Sequence, residues 1–128
     1  MIGYVTMGTN DLPRATAYYD ALFKSIGVGR FLEEDNYFVA WSPGQNAPGV
    51  SVTIPFNQEA ATVGNGNMVA LYLETPEQVD AFYQKALELG GTDEGQPGFR
   101  PPEANKGFYA GYFRDLDGNK LNAFCMVE

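Results

Sequence analysis

The chain of 128 residues contains no histidine. Histidine is the commonest imidazole ligand of metal ions and the usual general base near neutral pH. Its absence excludes Ser-His-Asp and Cys-His catalysis, zinc sites of the His-Glu-x-x-His type and iron sites with imidazole ligands. The residue types that are present say more about fold and excluded chemistry than about a substrate.

Cysteine, cationic residues and long apolar runs are also scarce. The single cysteine, Cys125, excludes an internal disulfide framework and is typical of the reducing cytoplasm. Eight Lys and Arg against sixteen Asp and Glu give a net charge of −8, which argues against nucleic acid or an anionic membrane as partners. No apolar run approaches the roughly 18 residues of a membrane span, and the first residues lack signal-peptide character. We therefore expect a cytoplasmic protein.

Two helices are indicated by apolar residues at helical spacing between clear start and stop signals. The first follows the cap residue Asp11 and ends at Gly27. The second follows the cap residue Thr75 and ends at Gly90. A shift of 64 residues, half of the chain, superposes the two cap–helix–stop patterns and places Tyr4 on Met68.

Short apolar or β-branched stretches around these helices predict strands. They lie at residues 2–8, 30–33, 37–41, 50–54, 68–73, 108–114 and 120–127. We expect residues 57–67 to link two halves, and residues 92–107 to hold one short strand inside a mobile connection. The predicted order is β-α-β-β-β, twice. This is a single α+β domain over residues 1–128, with internal units 1–60 and 65–128.

A duplicated βαβββ unit of this size resembles the vicinal oxygen chelate superfamily of glyoxalases, bleomycin-resistance proteins and extradiol dioxygenases. Two local patterns support the likeness: Asp11-Leu12 before the paired aromatics Tyr18-Tyr19, and residues 112–121, which read YFRDLDGNKL. In the second pattern Leu116 stands where the family usually has proline. The resemblance implies two units that form a glyoxalase-like pseudo-barrel cavity, and a homodimer.

The resemblance also implies where metal ligands would lie, on the first and last strand of each unit. Those positions hold Tyr4, seven residues before Asp11, its repeat partner Met68, and Asn122, four residues after Gly118. The fourth position is one of Ser51, Val52 and Thr53, and the sequence leaves the choice open. None of these residues is a carboxylate or an imidazole, which divalent ions prefer. We expect no metal and no cofactor, and hence neither metal-dependent glyoxalase nor dioxygenase activity.

Strand alternation selects the side chains that share a face with these positions. The predicted ligand-binding residues are Tyr4, Trp41, Met68, Tyr72, Phe108, Tyr112 and Asn122. Trp41 is included as the repeat partner of Tyr112 by strand order. The alternative is that each is an ordinary core residue.

The charged residues of the sequence are compatible with either a cationic or an anionic ligand. Aromatic rings in an acidic protein favour a flat cationic ligand, with residues 33–35 either rimming the cavity or forming a solvated turn. Arg100 and Lys106 are candidates for contact with an anionic substrate, or are ordinary surface cations.

The favoured function is a glyoxalase/bleomycin-resistance-like protein that binds a small organic molecule in a metal-free cavity. A metal-independent lyase or isomerase is the alternative, with Tyr4 or Tyr112 transferring a proton. A third reading is a degenerate domain kept for protein association. No catalytic residue is assigned.

Overall fold

The computed structural model describes all residues, 1–128. The chain divides into two compact units, Met1–Gly64 and Asn65–Glu128. Each unit is one helix packed on a four-stranded sheet, in the order β-α-β-β-β. The predicted α+β class and the repeated βαβββ unit are therefore confirmed.

The first unit contains a mixed sheet with its parallel pair at one edge. Its elements are β1 (Tyr4–Gly8), α1 (Leu12–Lys24), β2 (Gly29–Glu34), β3 (Phe38–Ser42) and β4 (Gly49–Thr53). The strands are ordered β1-β4-β3-β2, and β1 is parallel to β4 while the other neighbours are antiparallel.

The second unit repeats this topology. Its elements are β5 (Val69–Tyr72), α2 (Pro76–Glu88), β6 (Thr92–Phe99), β7 (Gly107–Arg114) and β8 (Lys120–Val127). The strand order is β5-β8-β7-β6, with β5 parallel to β8. The matching pairs β1–β4 and β5–β8 make the two units structural counterparts.

One prediction is corrected by β6. Instead of a short strand within a mobile connection, residues 92–99 form an eight-residue strand at the edge of the sheet. Its pairing with β7 shifts register between Asp93 and Gly95 and again between Gly95 and Gly98. Bulges and an edge position accommodate the glycines and Pro97, because an edge strand has fewer ladder bonds to supply.

Both helices begin at the predicted caps. The Asp11 carboxylate accepts a hydrogen bond of 3.1 Å from the backbone N–H of Arg14, and the Thr75 hydroxyl accepts one of 3.2 Å from Gln78. These bonds satisfy amides of the first turn that have no partner inside the helix. The Gln78 side chain in turn accepts from the backbone of Glu74 at 2.8 Å. Neither helix is long and apolar enough to cross a membrane.

Each sheet has two unlike faces, because its helix covers only one of them. In the second unit the helix face carries Phe113, Leu121, Ala123 and Cys125, all fully buried beneath α2 with Val79 and Phe82. The other side we call the helix-free face. In the second unit its residues are Ala70, Tyr72, Phe108, Ala110, Tyr112, Arg114, Lys120, Asn122, Phe124 and Met126. Met68, immediately before β5, continues the same alternation.

Candidate functional site

A tight turn determines which residues of β8 reach the helix-free face. The buried Asp115 carboxylate accepts from the backbone N–H groups of Asp117 and Asn119, each at 2.9 Å, and from the Asn119 side chain at 3.0 Å. Gly118 completes the turn with a φ of 89°, which favours glycine. The family-like pattern in this segment therefore fixes the register of β8, and with it the position of Asn122.

Asn122 lies at the centre of the helix-free face of the second unit. It pairs with Tyr112 of β7 and with Ala70 of β5, and only 1% of its surface is exposed. Its Oδ1 is buried and has no hydrogen-bond partner. A buried acceptor without a partner costs free energy, so it is usually paired with protein, water or ligand. Asn122, one of the predicted ligand-binding residues, thus has an acceptor to which no group of the protein donates.

Aromatic rings line one side of Asn122. The ring of Phe124 stacks on Phe108 with centroids 5.3 Å apart, and Tyr72 meets it edge-on at 5.6 Å. Tyr72 is 63% exposed, so this cluster is open to a ligand at its rim. Of the predicted ligand residues, the structure places Met68, Tyr72, Phe108, Tyr112 and Asn122 on or beside this one face.

Two cations lie on the other side of Asn122, over the ring of Tyr112. The guanidinium carbon of Arg100 is 5.4 Å from the ring centroid and the Lys120 ammonium is 5.6 Å from it. Neither cation pairs with a carboxylate, although the chain carries a net charge of −8. Sequence reasoning named Arg100 but missed Lys120, whose position two residues before Asn122 was the available signal. Lys106 is exposed and does not join them.

The helix-free face of the first unit carries Tyr4, which is 52% exposed. The register also settles the fourth family position, since Thr6 pairs with Ser51 as Ala70 pairs with Asn122. Ser51 is therefore the counterpart of Asn122. Its buried hydroxyl donates 3.1 Å to the carbonyl of Val5, so unlike Asn122 it has a partner.

Trp41 is corrected to the opposite face. It is 1% exposed, packs against Tyr19 and Phe23 of α1 with centroids 5.5 and 5.7 Å away, and pairs with the helix-face residue Val50. The residue opposite Ser51 is Ala40, so Ala40 is the counterpart of Tyr112. A displacement of one residue in the predicted alignment moved Trp41 to the wrong side of the sheet. Trp41 is a core residue and no longer a ligand candidate.

The residues at the family's metal positions do not suit a divalent ion. Tyr4, Ser51, Met68 and Asn122 offer a phenol, a hydroxyl already bonded to backbone, a thioether and one amide oxygen. Divalent ions in proteins are held by carboxylate, imidazole or thiolate ligands. No group of three or more His, Cys, Asp or Glu side chains is placed to hold a metal ion anywhere in the chain. The donor set therefore disagrees with a metal-dependent reaction at these positions.

The tyrosines proposed for proton transfer lack a base. The hydroxyls of Tyr4 and Tyr112 form no hydrogen bond with a carboxylate or any other group of the protein. Burial and the Asp93 carboxylate, 2.7 Å away, instead raise the pKa of Tyr83 to about 12. Burial and Asp80, at 2.6 Å, raise the pKa of Tyr109 to about 12. Both phenols contact α2 or the edge strand rather than the helix-free face, and both are held protonated.

An open groove lies elsewhere in the first unit, between the start of α1 and the β2–β3 hairpin. Its volume is about 640 Å³. Its charged lining residues are Asp11, Asp20, Arg30, Glu33, Glu34 and Asp35. None of the predicted ligand residues lines this groove. The acidic segment 33–35 thus rims a groove, but one apart from the family positions.

Comparison with known proteins identifies relatives of this fold. The profile of the Glyoxalase/Bleomycin resistance protein/Dioxygenase superfamily matches residues 1–123. A glyoxalase/bleomycin resistance protein from Albidiferax ferrireducens T118 is 35% identical over 98% of each chain, with a TM-score of 0.84. Comparison with curated proteins found no match.

More distant structures share the fold alone. A glyoxalase/bleomycin resistance protein/dioxygenase family enzyme from Burkholderia phytofirmans PsJN is 18% identical over 98% of each chain, with a TM-score of 0.75. The lactoylglutathione lyase of Agrobacterium tumefaciens is 19% identical over 98% of this chain and 92% of that chain, with a TM-score of 0.70. The profile match and the 35% identical relative together establish that this chain belongs to the glyoxalase/bleomycin resistance protein/dioxygenase superfamily.

Proposed function

We propose that this protein binds a small organic molecule, without a metal ion, on the helix-free face of its second unit. The observation that carries the proposal is the buried, unpartnered Oδ1 of Asn122 beside an open aromatic cluster. Aromatic walls with a few convergent polar groups are typical of sites for organic ligands. Superfamily membership alone does not determine the function, because one fold supports many reactions.

The metal-free part of the proposal rests on the donor set. At the family's ligand position on the last strand, Asn122 offers a neutral amide, which neither neutralises a cation nor moves a proton. Its counterpart Ser51 already donates to backbone. Binding in this protein therefore depends on shape, aromatic contact and hydrogen bonds.

The charge of the face bears on the choice of ligand. The acidic composition by itself favours a cationic aromatic molecule, but charges near a site outweigh distant ones, which salt screens beyond about 8 Å. Arg100 and Lys120 are unpaired cations in contact with Tyr112, and the nearby Arg114 is neutralised by Glu94. A cationic ligand is therefore not proposed for this face.

Thermal unfolding in the presence of aromatic acids, amides and amines tests the proposal. We expect at least one class to raise the midpoint in a saturable manner, equally with and without a chelator, because a ligand that binds only the folded state stabilises it. The Phe108→Leu variant should lose this stabilisation. The matched Phe56→Leu variant, altered at a residue that is 90% exposed in the first unit, should keep it.

Three results would overturn the proposal. One is the absence of stabilisation by every class; another is an equal loss in both variants. The third is stoichiometric zinc, nickel or iron in the purified protein together with binding that a chelator abolishes.

The alternative, a metal-independent lyase or isomerase, predicts turnover of the bound compound. Tyr112→Phe would then abolish turnover but leave binding intact. The implied homodimer is a separate prediction, which light scattering of the purified protein tests.

A further inference from the structure

Arg100 and Lys120 have no carboxylate partner in the chain. The ion pairs of the chain join Arg30 to Asp20 and Glu33, Lys85 to Glu88, and Arg114 to Glu94. In a chain with twice as many acidic as basic residues, two cations that contact the same ring nevertheless have no carboxylate partner. Their cation–π contacts with Tyr112 are weak at a partly exposed site and do not neutralise either charge.

Arg100 is held in place but is only partly used as a donor. Its Nη1 donates to the carbonyl of Phe99 at 3.2 Å and its Nη2 to that of Gln96 at 2.9 Å. Gly95 and Gly98 leave room for it, since a Cβ at either position would lie 3.4 or 3.3 Å from a guanidinium nitrogen. The remaining N–H groups have no acceptor. A guanidinium fixed by backbone with donors to spare is suited to bind a planar carboxylate.

Asn122 provides a hydrogen-bond acceptor, whereas Arg100 and Lys120 provide donors. Its buried Oδ1 accepts a hydrogen bond and has none. It pairs across the strands with Tyr112, the ring that both cations contact, and such pairs bring Cβ atoms to about 5 Å. A carboxylate would be repelled by this oxygen, whereas an O–H or N–H group of the ligand would satisfy it. The face thus presents two cations in contact with the Tyr112 ring and one acceptor on the residue paired with Tyr112, next to the aromatic cluster.

We propose that the ligand is a small aromatic carboxylate that carries an O–H or N–H donor. Its carboxylate binds Arg100 and Lys120, its donor group binds Oδ1 of Asn122, and its ring packs on Phe108 and Phe124. This inference rests on the proposed binding function and names the ligand class for the same face. It reverses the expectation of a cationic ligand, which net charge alone favours.

NMR titration of the ¹⁵N-labelled protein tests the role of the carboxylate. The probes are sodium mandelate, its neutral analogue mandelamide and the cation phenylethanolamine. We expect saturable shifts of β7 and β8 amides with mandelate and binding about tenfold weaker or more with the other two. Arg100→Gln and Lys120→Gln should each weaken mandelate binding about tenfold, whereas the control Lys106→Gln, also a cation of this unit, should not.

A second comparison tests the acceptor. Phenylacetate lacks the hydroxyl of mandelate and should bind wild-type protein more weakly. In Asn122→Leu the two acids should bind equally, because the acceptor for the hydroxyl is gone. The amide spectrum of each variant shows whether it is folded. If Asn122→Leu does not fold, the comparison of mandelate with phenylacetate on wild-type protein still tests the acceptor.

The outcomes separate the two proposals. If mandelamide or phenylethanolamine binds this face as tightly as mandelate, or if Lys106→Gln has the same effect as Lys120→Gln, the carboxylate inference is overturned while the binding function stands. If none of the three probes shifts residues of this face and no compound stabilises the protein, both proposals are overturned. If mandelate and phenylacetate bind wild-type protein equally, the role of Asn122 is overturned.

Discussion

The indole nitrogen of Trp41 donates a hydrogen bond of 2.9 Å to Oδ1 of Asp20. Arg30 binds the same carboxylate with two bonds, from Nε to Oδ1 at 2.9 Å and from Nη2 to Oδ2 at 2.6 Å. A side chain buried under α1 is thereby tied to an ion pair at the surface. The only tryptophan of the chain is therefore a structural residue.

Trp41→Phe should destabilise the first unit by about 2 kcal/mol, because it removes a hydrogen bond to a charged group and leaves a space in the core. Chemical denaturation followed by circular dichroism measures this loss, since tryptophan fluorescence disappears with the substitution. Tyr4→Phe, on the helix-free face, is the control and should change stability by less than about 0.5 kcal/mol. Equal effects of the two substitutions would contradict the core assignment of Trp41.

Acid should destabilise the protein through Asp20. The hydrogen bond from Arg30 lowers the pKa of this carboxyl below 3.8, its ordinary value, and Trp41 adds to the shift. A carboxyl with a lowered folded-state pKa stabilises above its unfolded pKa, and that stability is lost as the pH falls through the folded value. Unfolding free energy should therefore drop as the pH decreases below about 4.

Asp20→Asn should make the unfolding free energy fall less steeply with decreasing pH, and should lower stability at neutral pH. Asp11→Asn is the control, because asparagine also caps a helix well. Denaturation midpoints measured between about pH 2 and about pH 7, a range that includes the ordinary carboxyl pKa values, provide the comparison. An unchanged slope in Asp20→Asn would show that another group causes the acid loss.

Cys125 should react slowly with thiol reagents in the folded protein. It is fully buried beneath α2, and burial raises the pKa of its thiol, with Glu77 and Asp80 adding to the effect. Both features reduce the concentration of the reactive thiolate. Labelling by iodoacetamide should accelerate sharply in denaturant, and rapid labelling without denaturant would contradict the burial. Cys125→Ser should cost about 1–3 kcal/mol, because it places a hydroxyl among apolar side chains.

Asn122→Leu should raise the stability of the second unit by about 1 kcal/mol while weakening ligand binding. The substitution removes a buried acceptor that has no partner and replaces it with an apolar side chain of similar size. Ser51→Ala, at the counterpart position, should do the reverse and cost about 1 kcal/mol, because the Ser51 hydroxyl is bonded to Val5. Thermal midpoints of both variants measure the contrast. A loss of stability in both would show that Asn122 has a structural role.

Local signals predicted most of the fold. Asp11 and Thr75 act through their own first turns, and Gly118 acts within five residues of Asp115, so their effects are visible in short stretches of sequence. The edge strand β6 was underestimated because Gly95 and Pro97 are typical of loops, and only pairing with β7 makes them part of a strand. Tertiary contact overrides local preference at such positions.

The candidate site was predicted in part. Alternation along β7 and β8 placed Phe108, Tyr112 and Asn122 on one face, because a strand's side chains alternate whatever lies around it. Trp41 was placed on the wrong face because repeat alignment by strand order is uncertain by one residue. The approach of Arg100 to Tyr112 depends on how the chain bends after β6, which no local pattern records.

The turn built on Asp115 has a consequence beyond its own five residues. Because side chains alternate along a strand, one residue inserted into or deleted from the turn would exchange the two sides of β8. Leu121, Ala123 and Cys125 would then be exposed, and Asn122 and Phe124 would be forced beneath α2. The length of this turn therefore determines which residues of β8 face the helix. As long as the length of the turn is kept, substitutions on the side away from the helix leave the residues beneath α2 in place.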